Sequence, residues 1–235
     1  MCGTYWLQLP PEMPPTVGVV VFPGTNCEHD VVHALGLLGM RAQIKWHGDS
    51  ELGDCDAVVL PGGFAHGDYL RPGAIARFSK VMSSIVKMAE AGKPVLGICN
   101  GFQVLTEAKL LPGALQKNAG LRFICDVEKL EVASNRSVAS TLLQLGEIIS
   151  LPINHFEGNY TCDHVTYDML VENDQIVFKY VDNPNGSVGS IAAISNPRGN
   201  VVGMMPHPER AVEELVGGTD GRKVLSSFIE AVLNG

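Results

Sequence analysis

A cysteine between two glycines is the residue of this sequence best suited to covalent chemistry. Cys99 lies in GICNG, after the apolar run PVLGI and before GFQVLTEAKLL, which has helical spacing. The pattern G-x-C-x-G, with serine at the centre, is typical of a nucleophile elbow, a sharp turn from strand to helix. Gly97 and Gly101 carry no Cβ that would clash in such a turn. We therefore predict that Cys99 is a nucleophile at the carboxyl end of a strand, where helix N–H groups favour its thiolate.

A buried structural role is the general alternative, because free cysteine is among the most buried residue types. The strand, the two glycines and the following helix favour the nucleophile at Cys99. Four other cysteines lack such a setting and are interpreted as structural or incidental: Cys27, Cys55, Cys125 and Cys162.

A cysteine nucleophile needs a base, and the base needs an orienting group. His207 lies in MMPHPER, at the end of a predicted strand. Pro208 favours an extended conformation for His207. In an extended chain, residues two apart point to the same side, so the side chain of Glu209 would lie beside that of His207. The Glu209 carboxylate would then hold one imidazole nitrogen and leave the other for Cys99. His155, in LPINHFEGNY, is the competing base.

The tetrahedral intermediate of such chemistry needs hydrogen-bond donors for its oxyanion. We expect one donor to be the backbone N–H of Asn100, the residue after the nucleophile. The other is expected from Gly63 in LPGGF, a glycine turn that ends the preceding strand. A P-G-G turn alone is weak evidence, since it is also an ordinary turn.

Strands and helices alternate in the first half, which predicts βαβ units and a parallel sheet flanked by helices. Residues 72–92 are predicted to form one helix that begins at Pro72 and includes Phe78 in its apolar face. The second half predicts strands with few helices between them, joined at one point by the turn NPRG, and a C-terminal helix. Residues 1–16, with four prolines, are interpreted as a flexible extension, and residues 17–235 as a single domain.

The composition limits the class of protein. The 235 residues are 46% hydrophobic and 18% charged, which is typical of a globular chain. A net charge of -8 argues against nucleic acid as a partner. Neither a membrane span nor a signal peptide is predicted, so we expect a cytoplasmic protein whose six cysteines are reduced. Without a C-x-x-C pair, no metal site is expected.

Several long segments carry a family resemblance: VVVFPGTNCEHDV, LPGGFAHGDYLRPGAIA, GICNGFQVL, LPINHFEGNY and MMPHPERAVE. Together they resemble the class I glutamine amidotransferases, and among these the glutaminase subunits of phosphoribosylformylglycinamidine synthases, over nearly all of residues 17–235. The resemblance implies a flavodoxin-like parallel sheet with an added, mostly antiparallel part in the C-terminal half. It also implies a triad of Cys99, His207 and Glu209, with glutamine held near Gly62, Gly63 and Gln103.

The resemblance further implies a division of labour between subunits. The glutaminase would hydrolyse glutamine through a cysteinyl thioester and supply ammonia to a large synthetase subunit, with a small third subunit. The synthetase would use ATP and Mg²⁺ to convert formylglycinamide ribonucleotide to the amidine. No cofactor is expected in this chain, since it has no phosphate-binding loop.

The segment HGDYLRP is a candidate docking surface for the synthetase, through His66, Asp68, Tyr69 and Arg71; the alternative is a solvated loop. Two other functions stay open on the residues alone. A stand-alone hydrolase of related fold often has histidine after the cysteine, where this chain has Asn100. A glutamine sensor would be marked by loss of a triad residue, and none is lost.

Overall fold

A computed structural model describes residues 15–234 of the chain. The strands are Thr16–Val21 (β1), Arg41–Trp46 (β2), Ala57–Leu60 (β3), Val95–Ile98 (β4), Ala114–Gln116 (β5), Ile124–Val132 (β6), Ile148–His155 (β7), Asn159–Thr161 (β8), Ile176–Tyr180 (β9), Ile191–Ser195 (β10) and Val201–Met204 (β11). The α-helices are Glu28–Leu37 (α1), Val81–Glu90 (α2), Asn100–Glu107 (α3), His164–Glu172 (α4) and Asp220–Asn234 (α5).

A nine-stranded sheet in the order β2-β1-β3-β4-β11-β10-β9-β6-β7 runs through the molecule. Its first five strands pair in parallel, with β11 beside β4. Counted among themselves, these strands have the order 2-1-3-4-5 of flavodoxin-like sheets, whose ligands bind at the carboxyl ends of the strands. The predicted fold class is confirmed, and β11 adds the fifth parallel strand from the second half of the chain.

The other half of the sheet is antiparallel, as expected. Strands β11, β10, β9, β6 and β7 pair in sequence with alternating direction. The predicted turn NPRG joins β10 to β11, where the N–H of Asn196 donates to the carbonyl oxygen of Val201. A separate two-stranded sheet, β5 with β8, lies outside the main sheet.

The central parallel strands form because their side chains are apolar on both faces, which suits a sheet covered on both sides, whereas the edge strand β2 is polar and partly exposed. All residues of β3 and β4 are buried. Helix α3 packs against β3, β4 and β11, and α5 packs against β7 and the turn after β11. In α5 the predicted apolar stripe is buried: Leu225, Phe228, Ile229 and Val232.

The single helix predicted over residues 72–92 was wrong. Gly73 has a φ of 76°, and Ser79 is extended with φ -65° and ψ 146°, so the chain leaves helical geometry twice. Only a short 3-10 turn, Ala76–Phe78, precedes α2. Phe78 is therefore not part of a buried face; it is 74% exposed.

The predicted N-terminal extension lies almost wholly outside the described residues. Strand β1 begins at Thr16, one residue before the predicted boundary. Within residues 15–234, no helix is long and apolar enough to cross a membrane.

Candidate active site

Cys99 lies in a strained turn between β4 and α3. Its φ of 51° and ψ of -105° are unusual for a residue with a side chain. A Cβ added to Gly101 would lie 2.0 Å from the carbonyl oxygen of Leu60, and one added to Gly97 would lie 2.7 Å from the carbonyl carbon of Gly101. Glycine is thus required on both sides of the cysteine, as an elbow demands. The Cys99 thiol lies 3.7 Å from the carbonyl oxygen of Asn154, to which it donates.

His207 and Glu209 form a buried pair just after β11. Nδ1 of His207 lies 2.6 Å from Oε1 of Glu209. The predicted partnership is present, although the backbone route differs, because Pro208–Arg210 forms a 3-10 turn rather than an extended segment. The N–H of His207 donates to the carbonyl oxygen of Pro152 at 2.8 Å, which ties the turn to β7.

The pair sets the charge of the imidazole. Burial alone would lower the pKa of His207, but the Glu209 carboxylate and the Cys99 thiol raise it well above its usual value. Nε2 of His207 is buried and has no hydrogen-bond partner within the described chain, although the sulfur atoms of Cys27 and Cys99 are near enough to affect its pKa. Nε2 is therefore available to exchange a proton with a thiol.

A cavity of about 260 Å³ unites these groups at the carboxyl edge of the parallel strands. Its lining includes Cys99, His207, Gly63 and Gln103, which are four of the predicted site residues. The loops after β1, β3, β4 and β11 meet here because parallel strands all end at the same edge.

Gly62 and Gly63 follow β3 and meet this cavity in different ways. A Cβ on Gly62 would lie 2.7 Å from Cε1 of His207, so this position must be glycine to admit the ring. Gly63 has a φ of 146° and faces Thr25 in an antiparallel bridge. The bridge is held by the N–H groups of Phe64 and Asn26, which donate to Gly24 and Gly62 respectively. In this pattern the N–H of Gly63 takes no part in the bridge, and Gly63 itself lines the cavity.

The first turn of α3 carries Asn100 and Gln103. The N–H of Asn100 has no intrahelical acceptor at this position. Its side-chain Nδ2 donates to Oε1 of Gln103 at 2.8 Å, and Nε2 of Gln103 donates to the carbonyl oxygen of Glu157 at 2.6 Å. Oδ1 of Asn100 accepts from the N–H of Ala65 at 3.0 Å. These bonds fix the loop after β3 and the cavity wall to the elbow.

His155, the competing base, also lines the cavity but lacks a carboxylate. Nδ1 lies 3.1 Å from Oδ1 of Asn118, and that oxygen also accepts from the N–H of Gly158. Burial and the nearby His207 lower the pKa of His155 to about 4. His155 is therefore neutral at pH 7, and within residues 15–234 no carboxylate is hydrogen-bonded to its ring to stabilise a positive charge.

Cys27, interpreted from the sequence as structural or incidental, is buried beside the candidate site. It precedes α1, lines the same cavity as Cys99 and accepts a hydrogen bond from Nη2 of Arg210 at 3.1 Å. The guanidinium is also bonded to Asp30 through Nε at 3.1 Å. The position of Cys27 in the loop after β1 is the signal that would have found it, since that loop lies at the same edge of the sheet as the cavity.

The four predicted docking residues have different surroundings. Tyr69 is 73% exposed, and Arg71 is bonded to Glu107, with Nη2 at 2.8 Å from Oε2. His66 packs its ring edge-on to His47. Asp68 instead lines the cavity. Partner contact through these side chains stays a prediction.

Comparisons with known proteins identify the family. Residues 14–221 match the model of the CobB/CobQ-like glutamine amidotransferase domain. The chain belongs to this family. It is also similar to a chain in the structure of PurLQS from Thermotoga maritima, with 45% identity and a TM-score of 0.86 over 93% of this chain and 99% of that one. The resemblance to the class I glutamine amidotransferases is thereby confirmed.

Two more distant structures share the fold of this amidotransferase. A candidate GMP synthase component from Thermoplasma acidophilum is 18% identical over 95% of this chain and 96% of that one, with a TM-score of 0.62. A glutamine amidotransferase from Thermotoga maritima is 15% identical over 95% of this chain and 84% of that one, with a TM-score of 0.58. At these identities the likeness concerns the fold alone.

Proposed function

We propose that this chain is the glutaminase subunit of a phosphoribosylformylglycinamidine synthase. The single observation that carries the proposal is that Cys99 and His207 line one cavity, with His207 bonded to Glu209. The 45% identity to a chain of PurLQS supports the assignment within the amidotransferases.

The proposed reaction begins with transfer of the Cys99 proton to Nε2 of His207. The sulfur attacks the side-chain amide carbon of glutamine, and the carbonyl oxygen becomes an oxyanion. The imidazolium returns the proton to the leaving nitrogen, so that ammonia departs and a glutamyl thioester remains. Water, deprotonated by His207, then cleaves the thioester to glutamate and restores the Cys99 thiol.

The oxyanion of each step is assigned to two backbone donors. Gly63 lines the cavity in the loop after β3, and Asn100 follows Cys99 at the start of α3, which supports the choice of their N–H groups. Removal of one such donor typically costs about 10²- to 10³-fold in rate. Gly62 and Gln103 complete the proposed substrate site, the first by leaving room for His207 and the second by forming the cavity wall.

Ammonia released here is proposed to serve a partner synthetase that holds ATP and Mg²⁺. The name PurLQS denotes an assembly with PurL and PurS components, which supports a large and a small partner for this chain. The partner would use the ammonia to convert formylglycinamide ribonucleotide to formylglycinamidine ribonucleotide. The complex would be located in the cytoplasm.

Reconstitution with the candidate synthetase subunits tests this function. Glutamine-dependent amidine formation is expected from the wild-type complex, and Cys99→Ala should abolish it while ammonia-dependent formation continues. Loss of both activities in a correctly assembled complex contradicts the division of labour. Full glutaminase activity of the isolated chain, with no effect of partners or ATP, would instead favour a stand-alone hydrolase.

A further inference from the structure

Asp68 occupies a position that the docking interpretation does not explain. It lies in the loop after β3, has a φ of 52°, and lines the cavity that contains Cys99. Leu70, two residues further on, is exposed, with 91% of its surface accessible. The chain thus adopts an unfavourable backbone conformation that brings a carboxylate to the substrate cavity rather than to the outer surface.

The Asp68 carboxylate is held beside the elbow but is incompletely paired. Oδ1 accepts from Nδ2 of Asn100 at 3.2 Å, and no other hydrogen bond reaches the carboxylate within residues 15–234. Burial and the neighbouring Glu157 raise the pKa of Asp68 to about 6. Glu157, which also lines the cavity, has a pKa raised by burial and lowered in part by Lys117.

Apart from His207, the charged side chains that line the cavity are of one sign. Asp68 and Glu157 are acidic, His155 is neutral, and among the described residues no lysine or arginine belongs to the lining. At the reacting end, Nε2 of His207 is buried, with its side chain 2% exposed, and has no partner within the described residues. A ligand of this cavity thus meets a proton-exchanging group and two carboxylates.

We propose that Asp68, assisted by Glu157, binds the α-ammonium group of the glutamine substrate and so selects for an amide that belongs to an α-amino acid. The inference rests on the proposed function, because it assigns the orientation of glutamine in the same cavity. The ammonium is the only cationic group of glutamine, and its charge would offset the repulsion between the two carboxylates. Asn100 links the two ends of the site, since it bonds Asp68 and follows the nucleophile.

The test compares glutamine with glutaramate, which has the same amide and carboxylate but no α-amino group. Ammonia release from each substrate is measured with the chain assembled with its synthetase subunits. For glutamine, Asp68→Asn is expected to raise KM about 10- to 100-fold with a smaller change in kcat, as for a lost hydrogen bond to a charged group. For glutaramate, which the wild type should use less well, Asp68→Asn should leave kcat/KM unchanged.

Two variants guard the experiment. Asp54→Asn removes an exposed aspartate outside the cavity and should alter neither substrate. Glu157→Gln should raise KM for glutamine less than Asp68→Asn does, because Lys117 partly offsets its charge.

The outcomes separate the inference from the function on which it rests. An equal loss with both substrates, or no loss with glutamine, overturns the ammonium assignment. A wild-type complex that releases no ammonia from glutamine overturns the proposed function itself.

Discussion

Nδ1 of His207 lies 2.6 Å from Oε1 of Glu209, and the two side chains are 2% and 0% exposed. Removal from water disfavours a charged imidazole, yet the carboxylate raises the pKa of His207 well above its usual value. The arrangement fixes Nδ1 as the bonded nitrogen and leaves Nε2 for the proton of Cys99. The contrast with His155, which has an amide oxygen in place of a carboxylate, distinguishes the two candidate bases.

Replacement of the pair should affect turnover in a graded way. His207→Ala removes the general base and is expected to lower kcat for glutamine by about 10²- to 10⁴-fold. Glu209→Gln should cost less, because the amide oxygen still accepts from Nδ1 but no longer stabilises the imidazolium. Steady-state kinetics measure both effects, and a larger loss for Glu209→Gln than for His207→Ala would contradict the assigned roles.

His155 should be far less sensitive. Its pKa of about 4 and its bond to Asn118 indicate a neutral ring that positions the cavity wall. We expect His155→Gln to lower kcat by less than about 10-fold, well below the loss for His207→Ala. Steady-state kinetics of both variants distinguish the two histidines. A near-wild-type rate for His207→Ala together with an inactive His155→Gln would show that His155 is the general base.

Gly62 offers a steric test of the site. The added Cβ of Gly62→Ala would lie 2.7 Å from Cε1 of His207, whose ring is held at Nδ1 by Glu209 and whose backbone N–H is bonded to Pro152. Displacement of the ring by a fraction of an ångström to one ångström should cost about 10²-fold in kcat/KM.

Gly36→Ala is the matched control, since an added Cβ there has no atom within 4 Å in the described structure. It should keep full activity and gain about 0.5 to 1 kcal/mol of stability from higher helix propensity. Comparable activity of the two alanine variants would show that Gly62 does not make room for the base.

The Asp68 carboxylate should destabilise the fold above pH 6. Its pKa is 3.8 in an ordinary setting and about 6 here, so the folded chain holds this proton more tightly than the unfolded chain. The stability gained from the protonated form is lost as pH rises from about 4 to 6. Asp68→Asn should therefore be more stable than wild type at pH 8, by about 1 to 2 kcal/mol after allowance for partial solvation.

Urea unfolding at several pH values measures this difference, with Asp54→Asn as the control. The stability difference between Asp68→Asn and wild type should grow up to about pH 6 and then stay constant. A difference independent of pH would mean that the Asp68 charge carries no cost in the fold. Such a cost would be consistent with a carboxylate retained for substrate binding.

Sequence patterns predicted the cavity residues that directly follow strands better than those that lie within loops. Cys99 and His207 follow apolar strands, and the carboxyl edge of a parallel sheet brings such positions together. Cys27 follows β1 by the same rule, but its loop has no glycine pattern to mark it. Asp68 was predicted to face a partner. Its position in the cavity depends on a hydrogen bond from Asn100 and on a positive φ, and neither feature can be read from residue spacing.

The misread elements have physical causes as well. Pro72 and the apolar spacing after it favoured a long helix, but the positive φ of Gly73 and the extended Ser79 prevent it. Helix α4 was not predicted, since Leu170 is its only buried residue and its apolar stripe is correspondingly weak. Its start is marked instead by Asp163, whose side chain accepts from the N–H of Thr166 at 2.8 Å.

The central claim is that the thiol of Cys99, rather than that of the adjacent Cys27, attacks the amide of glutamine. A glutamine analogue with a diazoketone in place of the amide tests it directly, with the modified peptide identified by mass spectrometry. One adduct is expected, on the peptide that contains Cys99. Excess glutamine should prevent this modification, and His207→Ala should slow it. An adduct on Cys27, or none on a folded chain assembled with its partners, would contradict it.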